Sequence, residues 1–169
     1  MQAQDLNSAL GKVLRITKDG KPAAGNPNAG QSGVGAAVYS YGHRNVQGIG
    51  IHPENGDIWI TEMGPQGGDE LNLIQRGKNY GWPVIGFGVN YRTGAAIHTG
   101  THKEGMELPV HVWVPSIATS GLLFYTGDKF PEWRGNLFVG GMQGEVLARL
   151  TLDGRRVMSE EKLVQRMGR

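Results

Sequence analysis

Gly48-Ile-Gly-Ile-His-Pro-Glu-Asn-Gly-Asp-Ile-Trp-Ile-Thr61 holds two short apolar runs on either side of the turn Pro53-Glu-Asn-Gly56. Branched and aromatic side chains favour strand, and Pro, Asn and Gly supply the backbone angles that reverse the chain. The stretch predicts a β-hairpin running from Gln47 to Glu62. A second stretch echoes it: Gly121-Leu-Leu-Phe-Tyr125, a longer turn, then Asn136-Leu-Phe-Val-Gly140. Each is followed by a third strand signal, Glu70-Leu-Asn-Leu-Ile74 and Glu145-Val-Leu-Ala-Arg149. Leu14-Arg-Ile-Thr-Lys-Asp-Gly20 and Ala148-Arg-Leu-Thr-Leu-Asp-Gly154 form another matching pair. Sheet units of three to four strands recurring every ~40–70 residues read as propeller blades. The expectation is an all-β chain, one partial β-propeller domain over 1–169, with about three blades. Their approximate signals are 11–62, 63–125 and 126–169. A Greek-key sandwich with coincidental similarity is the alternative.

Composition agrees with an all-β reading. The 169 residues include 28 glycines, about one in six against ~7% in average proteins. They lie between short apolar runs, as turns do. Further strands are expected at Val13–Thr17, closed by the turn Lys18-Asp19-Gly20, and at Ala37–Tyr41, Val110–Val114, Val146–Thr151 and Arg156–Val164. Residues 21–35 and 63–68 read as loops, and 76–109 as mostly irregular chain carrying Tyr80, Trp82, Phe87 and Tyr91. No amphipathic helix stands out. Seventeen basic and 15 acidic residues are interspersed, for a net charge of +2. With no basic stripe, nucleic acid is a poor partner. There is no cysteine, which excludes disulfides and thiolate metal sites. No stretch approaches the ~18 apolar residues of a membrane span, and the first dozen residues have no signal-peptide core.

Three clusters could carry chemistry. Arg44 and Asn45 offer a rigid fork of donors and an amide, suited to a planar ligand with several carboxylates. They could equally cap a strand end in water, and His43 beside them reads as a structural hydrogen-bonding residue. Glu62-Met-Gly-Pro-Gln-Gly-Gly-Asp-Glu70 combines acids with glycines that free carbonyls to face a cation. Its spacing is not that of an EF-hand, and a tight turn with solvated acids explains it as well. Asn79-Tyr-Gly-Trp-Pro83 and Asn90-Tyr91 place aromatics in a long loop, where they stack on a flat ligand or fill a local core. His98, His102 and His111 show no metal-ligand spacing and read as surface or loop residues.

Taken together, Ser40-Tyr-Gly-His-Arg-Asn-Val-Gln-Gly48, the 62–72 cluster and Gly77-Lys-Asn-Tyr-Gly-Trp-Pro83 resemble the PQQ-dependent aldose sugar dehydrogenases, the glucose/sorbosone dehydrogenase family. Val114-Pro-Ser-Ile-Ala118, Gly121–Gly127 and Gly135–Gly140 continue the match in order, so that it covers nearly the whole chain. The resemblance implies a six-bladed propeller with PQQ over its central mouth. It implies oxidation of an aldose at the anomeric carbon to the lactone, with a histidine as general base. Carried over by motif, Arg44, Asn45 and Tyr91 would contact PQQ, with Ser116 at its rim. The carbonyls of Gly64 and Pro65 would hold the PQQ-bound Ca²⁺. Glu70 and the Tyr80 carbonyl would hold a second, structural Ca²⁺.

The departures carry as much meaning. No residue here matches the family's catalytic histidine, which comes from an upstream blade. Where the family often has a basic residue pairing with PQQ, the sequence reads Gly141-Met142-Gln143, so Gln143 puts an amide in place of a charge. A later Arg-rich strand would begin near Arg169. Three blades leave open sheet edges, and a head-to-tail homodimer could complete a six-bladed ring. Two functions follow: the PQQ-dependent dehydrogenase, with part of its PQQ and calcium site carried here, or a non-catalytic, self-assembling propeller fragment that binds a small ligand. The family resemblance implies a periplasmic or secreted location.

Overall fold

The computed structural model describes residues 1–166; the strand start expected at Arg169 lies outside them. Ten strands follow one another: β1 (Lys12–Leu14), β2 (Val38–Tyr41), β3 (Val46–Ile51), β4 (Ile58–Glu62), β5 (Asp69–Ile74), β6 (His111–Trp113), β7 (Thr119–Phe124), β8 (Leu137–Gly141), β9 (Val146–Asp153) and β10 (Arg156–Val164). They form three antiparallel sheets: β1–β2, β3–β4–β5–β6 and β7–β8–β9–β10. The helical content is three short 3-10 turns, and no helix among the described residues is long and apolar enough to cross a membrane.

The hairpin expected from 48–61 forms as read, with Ile51 opposite Ile58 and Val46 opposite Glu62. The internal echo is also real: β3–β4–β5 and β7–β8–β9 are the first three strands of the two four-stranded sheets. Its third strands align one residue away from the visual match. Leu71 pairs with Thr61 as Leu147 pairs with Gly140, so Leu71 corresponds to Leu147. The turn-rich 63–68, read as a loop, connects β4 to β5 inside one sheet. Hydrogen bonding therefore groups the strands as 12–41, 46–113 and 119–164. The strand expected over Val13–Thr17 ends at Leu14 and continues only as the single bridge of Ile16 with Pro22. Pro22 has no N–H with which to extend that ladder.

The core lies between the two four-stranded sheets. Trp59, Leu71 and Trp113 from the first meet Phe124, Leu137, Val139, Val146 and Leu150 from the second. Each large apolar side chain buried there contributes about 1.5–3 kcal/mol relative to exposure. Two glycines let β3 approach β7. A Cβ on Gly48 would stand 2.8 Å from the Ser120 carbonyl, and one on Gly50 would stand 2.4 Å from Leu122 Cδ1. Beside them Thr61 Oγ1 donates to the Ser120 carbonyl at 2.7 Å. The opposite face of the first sheet packs Ile60, Ile74 and Tyr80 under Val13 and Tyr39 of β1–β2. With cover on both faces, four of the five residues of β4 are buried. At the rim, Glu160 of β10 accepts from Trp113 Nε1 and pairs with His111 Nε2 of β6, each at 3.2 Å. Arg155 reaches both oxygens of Asp57.

Candidate functional site

Where β4 ends at Glu62, the chain turns through Met63–Gly68 and re-enters the sheet at Asp69. The turn is tight: a Cβ on Gly64 would lie 2.2 Å from the Gly68 carbonyl oxygen, so any larger residue would force the loop open. The Asp69 side chain fastens it. Only 1% exposed, its Oδ1 accepts from the Gly64 N–H at 3.0 Å and from Ser116 Oγ at 2.8 Å. Its Oδ2 accepts from the Thr119 N–H at 3.2 Å. From the other side Tyr91 Oη donates to the Gly64 carbonyl at 3.3 Å. The β8–β9 turn docks alongside, with the N–H groups of Met142 and Gln143 bonded to the carbonyls of Ala118 and Ile117. The result is a cavity of about 380 Å³ lined by Gly64, Pro65, Asp69, Tyr91, Ser116 and Gln143.

A second, smaller space of about 10 Å³ lies on another side of the same loop, lined by Arg44, Glu62, Gly64, Pro65, Glu70 and Tyr80 among others. That is room for one water-sized occupant. Arg44 is held firmly beside it. Its Nη1 donates to the Met63 carbonyl at 2.9 Å, its backbone N–H donates to Glu62 Oε2 at 2.7 Å, and its guanidinium lies over the Trp82 ring. Glu62 also pairs with His43 Nδ1 at 3.0 Å, and His43 Nε2 meets Ser40 Oγ at 2.9 Å. Against a carboxylate, Nδ1 is the donor, which leaves Nε2 to accept from the serine hydroxyl. All three residues are buried and His43 stacks on Tyr80, so this chain of bonds is the structural role expected for His43.

Glu70 is the strained member. Burial, then the nearby charge of Glu62, push its carboxyl up to about 8, against a partial offset from the Asn72 amide. Asn72 Nδ2 bridges the two acids, 2.9 Å from Glu62 Oε1 and 3.0 Å from Glu70 Oε2. Its Oδ1 is buried without a partner. Crowded carboxylates and space for one water-sized occupant fit a hard divalent cation. Among the described residues no three or more His, Cys, Asp or Glu side chains are grouped to hold a metal. Carbonyl oxygens would have to complete its shell. The Tyr80 hydroxyl is committed to its surroundings: it donates to the Leu73 carbonyl and accepts from the Gln75 N–H. Burial raises its pKa.

The site residues expected from sequence thus fall into two groups around one loop. Tyr91, Ser116 and Gln143 share the larger cavity with Gly64 and Pro65. Arg44, Glu70 and Tyr80 line the smaller one. Asn45 lines neither; its Oδ1 accepts from Gln47 Nε2 and its Nδ2 faces the Met63 sulfur. Asp69 carries no local signal of its role, because an Asp in a Gly-rich turn looks solvated; its burial depends on Ser116 and Thr119, far along the chain. His98, read as a surface or loop residue, is in the loop but lines the smaller cavity, with Nδ1 on the Pro83 carbonyl, its ring edge-on to Trp82 and Nε2 buried without a partner.

The sequence profile of the Glucose / Sorbosone dehydrogenase family matches residues 1–169. The aldose sugar dehydrogenase YliI of Escherichia coli is 40% identical over 168 residues, which cover 98% of this chain and 45% of that protein. A crystal structure of a glucose dehydrogenase superposes with a TM-score of 0.93 at 44% identity, over 98% of this chain and 48% of that one. The PQQ-bound aldose sugar dehydrogenase of Streptomyces coelicolor superposes with a TM-score of 0.76 at 34% identity, over 99% of this chain and 43% of that one. The chain spans less than half the length of the curated relatives it matches.

Proposed function

Since the chain belongs to the glucose/sorbosone dehydrogenase family, we propose that it serves the PQQ-dependent oxidation of an aldose at its anomeric carbon to the lactone, carrying part of the PQQ and calcium site. The observation that carries this reading is the cavity of about 380 Å³. It gathers Gly64, Pro65, Tyr91, Ser116 and Gln143, residues that come from four separate stretches of sequence. It is also within the ~300–1,000 Å³ of small-molecule sites.

When bound, PQQ would supply a quinone able to take up the two electrons and the hydrogen of the sugar's anomeric C–H. The chain's own residues do the holding. The carbonyls of Gly64 and Pro65 are hard oxygen donors on a loop pinned from both sides, suited to a Ca²⁺ that neutralises an anionic ligand. Tyr91 supplies a ring and a hydroxyl, and Ser116 a hydroxyl. Gln143 supplies an amide that can hydrogen-bond a carboxylate but cannot balance its charge. Arg44 supports the loop through the Met63 carbonyl and brings a fixed positive charge close to it. Glu70, with Glu62 and the Tyr80 carbonyl, would hold the second, structural calcium.

No histidine lines the larger cavity. That favours a second reading, in which this chain by itself binds the cofactor without turning over the sugar. A fluorescence titration with PQQ, with and without Ca²⁺, tests the binding that both readings share. Saturable, Ca²⁺-dependent binding that weakens in Arg44→Ala is expected. No binding at high micromolar PQQ sinks the proposal. Dye reduction with an aldose then separates the two readings.

A further inference from the structure

We infer that Asp69 is a positioning residue of the cofactor cavity: its buried carboxylate sets the Gly64–Pro65 cation-holding turn against the Ser116 wall. This rests on the PQQ and calcium reading above. The donors it collects come from three segments. Gly64 belongs to the β4–β5 loop of the first sheet, Ser116 to the connection between the sheets, and Thr119 to the first residue of the second sheet. The bonds are 3.0, 2.8 and 3.2 Å. Asp69 is therefore the group through which the two walls of the cavity are fixed relative to each other.

The chemistry of the contact requires a carboxylate. All three partners are donors, and an ionised Asp is acceptor-only. Asparagine would keep the shape, but in either amide orientation its NH₂ would face the N–H of Gly64 or of Thr119, leaving two buried donors facing each other. Such mispairing costs more than the loss of a single exposed bond. Both walls also lean on this corner in other ways. The Gly64 carbonyl receives Tyr91 Oη, and the carbonyls of Ile117 and Ala118, next to Ser116, anchor the turn that carries Gln143. A shift at Asp69 thus moves Gly64, Tyr91, Ser116 and Gln143 together, whereas removing Tyr91 or Gln143 removes one contact only.

The test is a titration of Ca²⁺ at fixed PQQ, followed by cofactor fluorescence, on the wild-type chain, Asp69→Asn, Ser116→Ala and the double variant. Urea denaturation without ligand reports folding separately. Asp69→Asn is expected to raise the Ca²⁺ needed for half-maximal PQQ binding by about tenfold or more, the effect of one or two lost charge-assisted hydrogen bonds. Ser116→Ala is expected to raise it about threefold. The double variant is expected to be no worse than Asp69→Asn, because both act through one contact. A purely structural Asp69 would lower the urea midpoint and leave the Ca²⁺ requirement of the folded fraction alone; that result overturns the inference. If Asp69→Asn does not fold, Ser116→Ala decides, and an unchanged requirement overturns the inference. No PQQ binding by the wild-type chain overturns this inference and the proposed function together. Normal wild-type binding with an unaffected Asp69→Asn overturns this inference alone.

Discussion

Gly50 lies in close approach to Leu122: a Cβ on Gly50 would stand 2.4 Å from Leu122 Cδ1, so the leucine would have to move. This approach of β3 to β7 thus depends on an absent side chain. Gly50→Val is expected to destabilise the chain by overpacking, about 1–3 kcal/mol, read as a lower urea midpoint. Leu122→Ala in the same chain should restore part of the loss. No rescue would show that the two residues do not share the contact.

Glu70 predicts a pH dependence of unusual sign for a carboxylate. In the unfolded chain it titrates near the ordinary 4.5, and in the folded chain at about 8. Between these values the folded state keeps a proton that the unfolded state has lost. Stability therefore falls as pH rises through that window, by up to roughly 1.4 kcal/mol per pH unit. Below 4.5 both states are protonated and the penalty is absent. Urea midpoints in EDTA should decline across the window and flatten in Glu70→Gln. Added Ca²⁺ at the alkaline end should restore the wild type and leave Glu70→Gln unmoved.

Gln143→Lys should tighten PQQ binding. It places a positive charge on the wall of the cavity, in a turn already fixed to Ile117. The gain should shrink with added salt, as screening requires. A gain insensitive to salt would point to packing instead of charge.

Asp57 and Arg155 form a two-point ion pair between the hairpin turns of the two sheets. The guanidinium holds the Asp57 carboxyl below its ordinary 3.8. This contribution is present above that value and lost as pH falls through the lowered one. Arg155 is well exposed, so the coupling in a double-mutant cycle should be small and should vanish in high salt.

Much of the fold was legible from hydrophobic pattern and turn chemistry, which act over a few residues. The hairpin at 48–61, its echo at 121–140 and the last hairpin turn at Asp153-Gly154 all form where these signals stand. Grouping of strands into sheets is not a local property. Met63–Gly68 has the composition of a boundary, yet β4 and β5 pair from Ile58–Ile74 to Glu62–Glu70 across it. Whether a turn joins or separates sheets depends on partners that no local window contains. The site divided likewise. The Gly-rich, acidic composition of 62–70 marks the turn, while cation-holding roles for Gly64, Pro65 and Glu70 come only from the family resemblance. Asp69 becomes decisive only because Ser116 and Thr119, nearly fifty residues away, fold against it. Asn45 shows the converse: its neighbour Arg44 faces the site, but the onset of β3 at Val46 turns Asn45 aside.

The burial of β4 on both faces also bears on which changes the protein can absorb. From Trp59 to Glu62 each side chain is enclosed, on one side by the second sheet and on the other by β1–β2 or the acid network. In a saturation library selected for folding, these positions should tolerate almost no replacement. Gln47, Ile49 and Ile51 on the neighbouring β3 are exposed and should tolerate many. Sequence drift in this hairpin is thereby confined to one strand of the two, and the approach to the Met63–Gly68 turn is held constant.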